Sequence, residues 1–233
     1  MESQLWTCGR GRATRERRLH GAHHASWPAP GCVVDRLRYL RMCGRYTHLL
    51  TWAQLHRLLR LTSDPIDLPR RYNIAPTQLA PVVRTTPEGV RAAHMLRWGL
   101  VPSWAKDLSI GNTMINARGE TLATKPAFRV AFRKRRCVVP ASGFYEWKKI
   151  DGSKTKQPCY ITSSDEGPLM FGGLWESWTS PEGEIVRTFT IITTTPNEMM
   201  AEIHDRMPLI LDASDIDRWL DPKVEDASDL IRS

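Results

Sequence analysis

The chain has 233 residues, 41% of them hydrophobic, and a formal net charge of +8, enough for one sizeable core in one domain or at most two. No apolar run reaches the roughly 18 residues a membrane span needs, and the N-terminus lacks an apolar stretch before a small-residue cleavage site, which argues against secretion. Five cysteines without a C-x-x-C pair or dense spacing speak against a disulfide framework or a structural zinc site, so a cytoplasmic protein without metal or cofactor is expected.

Residues 1–41 carry eight Arg and three acids and supply +5 of the +8, so the body is only mildly basic and its charge is weak support for an anionic partner. The leader shows no helical or strand period. It reads as disordered, as an organelle transit peptide or basic nucleic-acid tail, or as a segment ahead of the true start at Met42. Cys8, Cys32, His20, His23 and His24 fall in it without zinc-ligand spacing.

From Met42 the texture becomes that of a folded domain, expected over 42–222 with a short tail, 223–233, that has little to bury. Thr51 and Gln54 form a capping box for a helix with Trp52, Leu55, Leu58 and Leu59 on its apolar side. Turn residues predict three hairpins: Ala80–Thr85 with Val90–Trp98 around Pro87-Glu88-Gly89, Phe144–Lys149 with Pro158–Thr162 around Asp151-Gly152, and Met170–Trp178 with Glu184–Thr194 around Pro181-Glu182-Gly183. Between them Phe128, Ala131 and Phe132 mark a second helix. Thr195-Pro196-Asn197-Glu198 predicts a third, capped by Thr195 with Pro at its first position, and Ser214 a fourth carrying Ile216, Trp219 and Leu220. Short antiparallel strands with few helices indicate an α+β single domain, its sheet barrel-like.

Cys43 follows Met42 and precedes Gly44. Were Met42 the initiator and removed, Cys43 would carry a free α-amine and a thiol two carbons apart. An aldehyde condenses with such an amine to an imine, and the thiol closes a thiazolidine. With reference pKa values of about 8 and 8.5, both nucleophiles are populated near neutrality. The residue alone is more readily read as a small buried hydrophobe in the first strand.

Six segments occur in order: Met42-Cys43-Gly44-Arg45-Tyr46, Arg71-Tyr72-Asn73-Ile74-Ala75-Pro76, Trp98-Gly99-Leu100-Val101-Pro102-Ser103-Trp104, Ile115-Asn116-Ala117-Arg118-Gly119-Glu120-Thr121, Gly143-Phe144-Tyr145-Glu146-Trp147 and His204-Asp205-Arg206-Met207-Pro208. Together they resemble the SOS response-associated peptidase family, the abasic site processing proteins, over roughly residues 42–222. The resemblance implies that a mature N-terminal Cys crosslinks to the ring-opened abasic sugar in single-stranded DNA, and a peptidase activity is also attributed to the family. It makes Cys43 the nucleophile and matches Asn116, Glu146 and His204 to the family's active-site Asn, Glu and His.

The residues themselves suit those roles. Imine formation needs a proton delivered as water leaves, which a carboxylic acid or imidazolium can supply. In an alternating strand Phe144 and Glu146 share a face, and burial of that face would raise the Glu146 pKa. Read alone, Glu146 is also a solvated strand position, His204 a helix C-cap and Asn116 a turn residue. Arg45 and Arg118 are expected on phosphates and Trp98 and Trp104 on bases, with core packing open to Trp98; with Asn73 and Pro76 they make the expected DNA-binding set. Ala105 stands where some family members carry a second aromatic. Arg129, Arg133, Lys134, Arg135 and Arg136 are a candidate phosphate stripe. The expected protein is a monomer that shields abasic sites in DNA damage, with accompanying strand-cleaving lyase chemistry. A thiol peptidase and a non-catalytic single-strand binding module are the alternatives.

Overall fold

A computed structural model describes residues 6–8, 43–86 and 88–233. In chain order the strands are β1 (Trp6–Cys8), β2 (Arg45–His48), β3 (Arg71–Ile74), β4 (Leu79–Thr85), β5 (Arg91–Trp98), β6 (Asn116–Arg118), β7 (Arg136–Ala141), β8 (Gly143–Lys149), β9 (Lys156–Ser163), β10 (Leu169–Thr179), β11 (Ile185–Thr194) and β12 (Met207–Pro208). The helices are α1 (Trp52–Leu59), α2 (Arg129–Lys134), α3 (Glu198–Ala201) and α4 (Ile216–Leu220).

All three predicted hairpins form, as β4–β5, β8–β9 and β10–β11. Strands β10, β7, β4, β5 and β11 run side by side, and the β10–β11 pairing closes them into a barrel. Its one parallel seam joins β5 to β11 at Phe189–Trp98, and β6 also pairs parallel with β11. A second sheet, in the order β1-β9-β8-β2-β3, lies beside it. The expected α+β barrel is therefore present, though mixed in strand direction. The long stretch of chain between β5 and β11, which includes β6 to β10, allows this, because a parallel pair needs a crossover far longer than a hairpin turn.

Strand alternation divides the apolar residues into two cores. Val82, Leu96, Trp98, Val139, Phe171 and Phe189 project into the barrel and meet Tyr46, Phe144 and Ile161 of the second sheet. The other face of the barrel wall, with Val83, Val138 and Ile192, is covered by Leu55 and Leu59 of α1, Phe132 of α2 and Trp219 of α4. Helix α1 starts at the predicted capping box, with both reciprocal hydrogen bonds made.

Several local expectations change. Helix α3 is capped by Asn197, whose side chain accepts from Met200 N, not by Thr195. Strand β11 keeps the backbone extended through Thr194 and Pro196 precedes the cap, so the helix begins later. Helix α4 is preceded by Asp215 without a side-chain cap, so Ser214 does not serve. The tail folds back: Ala227 and Leu230 are buried in the helix-covered core. Arg136, itself buried, donates to the carbonyls of Phe132, Arg133, Trp219, Asp221 and Val224, tying α2, α4 and the tail to the barrel. In the leader, Trp6–Cys8 form strand β1 on the edge of β9; the rest of it, with Cys32, His20, His23, His24 and Met42, lies outside the described residues. Among these, no helix is long and apolar enough to cross a membrane.

Candidate active site

Cys43 precedes β2 and is 3% exposed. Its φ of +46° lies in the left-handed region, which costs an L-residue about 1–2 kcal/mol. That turn delivers its N–H to Glu146 Oε1 at 2.6 Å. Glu146 reaches it because β8 pairs with β2 through Arg45–Tyr145 and Tyr46–Phe144. Alternation puts Phe144 and Glu146 on the buried face of β8 while Tyr145 and Trp147 are half-buried on the other. The Cys43 thiol lies close enough for the Glu146 charge to act on it, so one acid neighbours both potential nucleophiles.

Burial dominates the electrostatics. It raises the Glu146 carboxyl above the usual carboxylate range, an effect opposed by the adjacent Cys43 and the nearby His204. Burial, then the Glu146 charge, pushes the Cys43 thiol up, while Arg206 pulls it down. His204 sits just after α3, its amide bonded to Met200 O. Its Nδ1 lies 2.7 Å from Asp205 Oδ1 and 3.3 Å from Arg206 N. A protonated Nδ1 donates to Asp205 and an unprotonated one accepts from the Arg206 amide, so the ring has a partner in either state.

Asn116 and His204 both wall a cleft of about 760 Å³, with Arg118, Trp147, Lys149, Lys156 and Thr193 among its other lining residues. Glu146, buried together with Cys43, is within electrostatic reach of His204 on the cleft wall. The four predicted catalytic residues thus gather from the start of β2, β6, β8 and the end of α3. They are far apart in sequence, and strand pairing brings them together.

The expected DNA-binding residues separate. Arg118 is exposed on the cleft wall. Arg45 donates to Asn73 Oδ1 at 3.0 Å, and Pro76 lies half-buried in the turn after β3. Trp104 is 61% exposed. Trp98 is fully buried, with Nε1 donating to Ile115 O and its ring packed on Tyr46 and Phe189. It offers no face to a base and belongs to the core. The basic run 129–136 is not a continuous stripe either: Arg133 pairs with Glu225, Arg135 with Glu176, and Arg136 is buried on carbonyls.

One pairing joins two of the six segments and has no sequence signal of its own. Arg206, largely buried, grips Glu120 with both terminal nitrogens and donates to Thr193 O at 2.6 Å. It locks the His204 segment to the turn after β6. An Arg–Glu pairing cannot be read from residues 86 positions apart without the fold.

The family model for "SOS response associated peptidase (SRAP)" matches residues 42–233. The chain belongs to the SRAP family. Among its relatives, abasic site processing protein YoqW of Bacillus subtilis is 44% identical over 190 residues, covering 79% of this chain and 83% of that protein. Abasic site processing protein HMCES of Mus musculus is 33% identical over 227 residues, covering 77% and 64%. A solved structure from Bacteroides thetaiotaomicron superposes with a TM-score of 0.73 at 27% identity, covering 81% of this chain and 86% of that one. The SRAP match extends through the tail, in keeping with the burial of Ala227 and Leu230.

Proposed function

We propose that this SRAP protein recognises abasic sites in single-stranded DNA and, when Cys43 is the first residue of the chain, captures the opened sugar as a thiazolidine. The observation that carries this reading is the buried carboxylate of Glu146, which accepts from the Cys43 nitrogen at 2.6 Å and acts electrostatically on the Cys43 thiol. The free amine attacks the C1′ aldehyde and gives a carbinolamine. Protonation of its hydroxyl, by Glu146 or by His204, releases water and leaves the imine. The thiol then adds to the imine carbon, and its proton passes to the imine nitrogen. One C–N and one C–S bond form, the C=O is lost, and one water leaves. Raising the Glu146 pKa by burial favours the acid role near neutral pH.

The cleft supports the DNA part of the reading. Arg118, Lys149 and Lys156 supply cations for phosphates on its wall and Asn116 an amide, while Trp104, outside the cleft lining, offers an exposed ring for stacking. An imine at C1′ also acidifies the C2′ proton, so strand cleavage by elimination belongs to the same proposal. The protein would act in the DNA damage response as a DNA-associated monomer.

A test is to mix protein beginning at Cys43 with a single-stranded oligonucleotide bearing one abasic site and resolve the products on a denaturing gel. A shifted band is expected, absent in Cys43→Ser and absent when one residue precedes Cys43. A band of equal strength from the extended protein would refute the amine's role.

Self-cleavage is a second reading with its own observation. In the full chain the atom facing Glu146 is the nitrogen of the Met42–Cys43 peptide bond, the leaving group if Cys43 were released. Intact mass of protein expressed from Met1 tests it: mass loss that vanishes in Glu146→Gln supports processing, and an unchanged chain excludes it.

A further inference from the structure

We propose that the end of the barrel remote from Cys43, where Arg84, His94 and Arg187 gather around Trp175, binds a tetrahedral oxyanion of the phosphate class. Strand register puts these side chains together. Arg84 pairs with Ala92 and Val82 with His94, so Arg84 and His94 are diagonal neighbours on one face of β4–β5. Trp175 pairs with Phe189 and Ser177 with Arg187 across β10–β11, which sets Trp175 and Arg187 diagonally on the same face as Phe189. That face lines the barrel interior. Six residues of β11 separate Arg187 from Thr193 on the cleft, about 20 Å at 3.3 Å per residue.

Three basic groups therefore converge with no acid among them. Arg84 is 7% exposed, its guanidinium carbon 4.2 Å from the Trp175 ring centre. Among the described residues its buried Nε has no hydrogen-bond partner, and neither has the buried Nε2 of His94. Glu88 is the acid that acts on Arg84, and it is exposed on the β4–β5 turn and engaged by Thr86. A guanidinium buried without a carboxylate or carbonyl is costly. Arg136, the other buried arginine of this barrel, donates to five carbonyls. Stacking on Trp175 satisfies the ring face of Arg84 but not its buried Nε–H.

The electrostatics follow from this placement. Burial first, then Arg84 and Arg187, lowers His94 to about 4, which leaves it neutral and able to donate one N–H. Arg187 depresses Arg84 after burial does. A dianion here would relieve both repulsions and accept from Arg84, Arg187 and His94 together, the forked recognition that arginine gives phosphate. The charged groups that act on His94 are Arg84 on β4 and Arg187 on β11, and the buried thiol of Cys137 on β7 lies within reach of Arg84. Two sources offer this chemistry: free phosphate, and the terminal phosphate of a nucleic-acid strand. The inference does not depend on Cys43.

The test follows the imidazole NMR signals of His94, identified by their loss in His94→Gln, in the full chain. The ligands are sodium phosphate against sodium chloride at equal ionic strength, then a 5′-phosphorylated short oligonucleotide against its unphosphorylated twin. A saturable change of the His94 signal is expected at millimolar phosphate, with its titration midpoint moving up by at least one pH unit. Arg187→Gln, an exposed position, should weaken the response at least tenfold with the fold intact, and Arg84→Met should abolish it. A response to the phosphorylated oligonucleotide alone assigns the terminal-phosphate source, and a response to inorganic phosphate assigns the free anion. If His94 responds to none of these ligands, or responds equally in Arg187→Gln, the site is refuted and Arg84 is only a barrel plug.

Discussion

Glu146→Gln separates the chemistry of the proposed site from its stability. Glutamine keeps the shape of the side chain, and its carbonyl oxygen can still accept from the Cys43 nitrogen at the position Oε1 occupies, 2.6 Å away. What it cannot do is transfer a proton. The loss should therefore equal a general acid–base contribution with binding geometry preserved, about 100- to 10,000-fold in rate, which is about 3–5 kcal/mol of barrier. Stability should move the other way. Burial holds the Glu146 carboxyl above its unfolded value, so it favours the fold fully below the unfolded pKa. That contribution is lost as pH rises through the folded pKa, where a charge must be carried in the core. In the full chain, where Cys43 has no ammonium to offset that charge, Glu146→Gln should raise the melting temperature at pH 8 and have little effect at pH 4. The rate assay is single-turnover crosslinking to an abasic oligonucleotide by protein starting at Cys43; the stability assay is thermal unfolding of the full chain at both pH values. Crosslinking within tenfold of the parent, or a lower melting temperature at pH 8, would refute the role of the buried carboxyl.

The two tryptophans once grouped together should part. Trp98→Ala is expected to cost about 3–5 kcal/mol of stability, whereas Trp104→Ala should leave unfolding unchanged and weaken single-stranded DNA binding by about 1–3 kcal/mol; denaturant titration and fluorescence anisotropy distinguish them. Arg136→Met strips five carbonyls of their donor and should cost about 3–5 kcal/mol, lowering the melting temperature by roughly 6–20 °C at 2–4 °C per kcal/mol. Thr51→Ala removes one half of the capping box on α1 and should cost about 1 kcal/mol in the same unfolding assay, with crosslinking unaffected.

Much of this protein was legible from sequence because its signals are local. The hairpin turns, the Thr51 capping box and the alternation that puts Glu146 on one face with Phe144 each depend on residues within one or two elements, and backbone sterics decide them there; that this face is the buried one came from the fold. The six ordered segments likewise pointed to Cys43, Asn116, Glu146 and His204 before any contact was known. Local signals misled where a neighbour competed: Thr195 looked like a cap, but β11 holds the chain extended past it, and Asn197 takes the role. Tertiary structure alone decided what depends on pairing between distant strands. Closure of the barrel sent Trp98 inward, beyond reach of DNA, and drew Arg136 out of a supposed basic stripe onto buried carbonyls. The β2–β8 register set Glu146 against the Cys43 nitrogen, and Arg206 found Glu120 across 86 residues. Composition cannot reveal these contacts, because a side chain's burial and its partner are properties of register and closure, which no single segment contains.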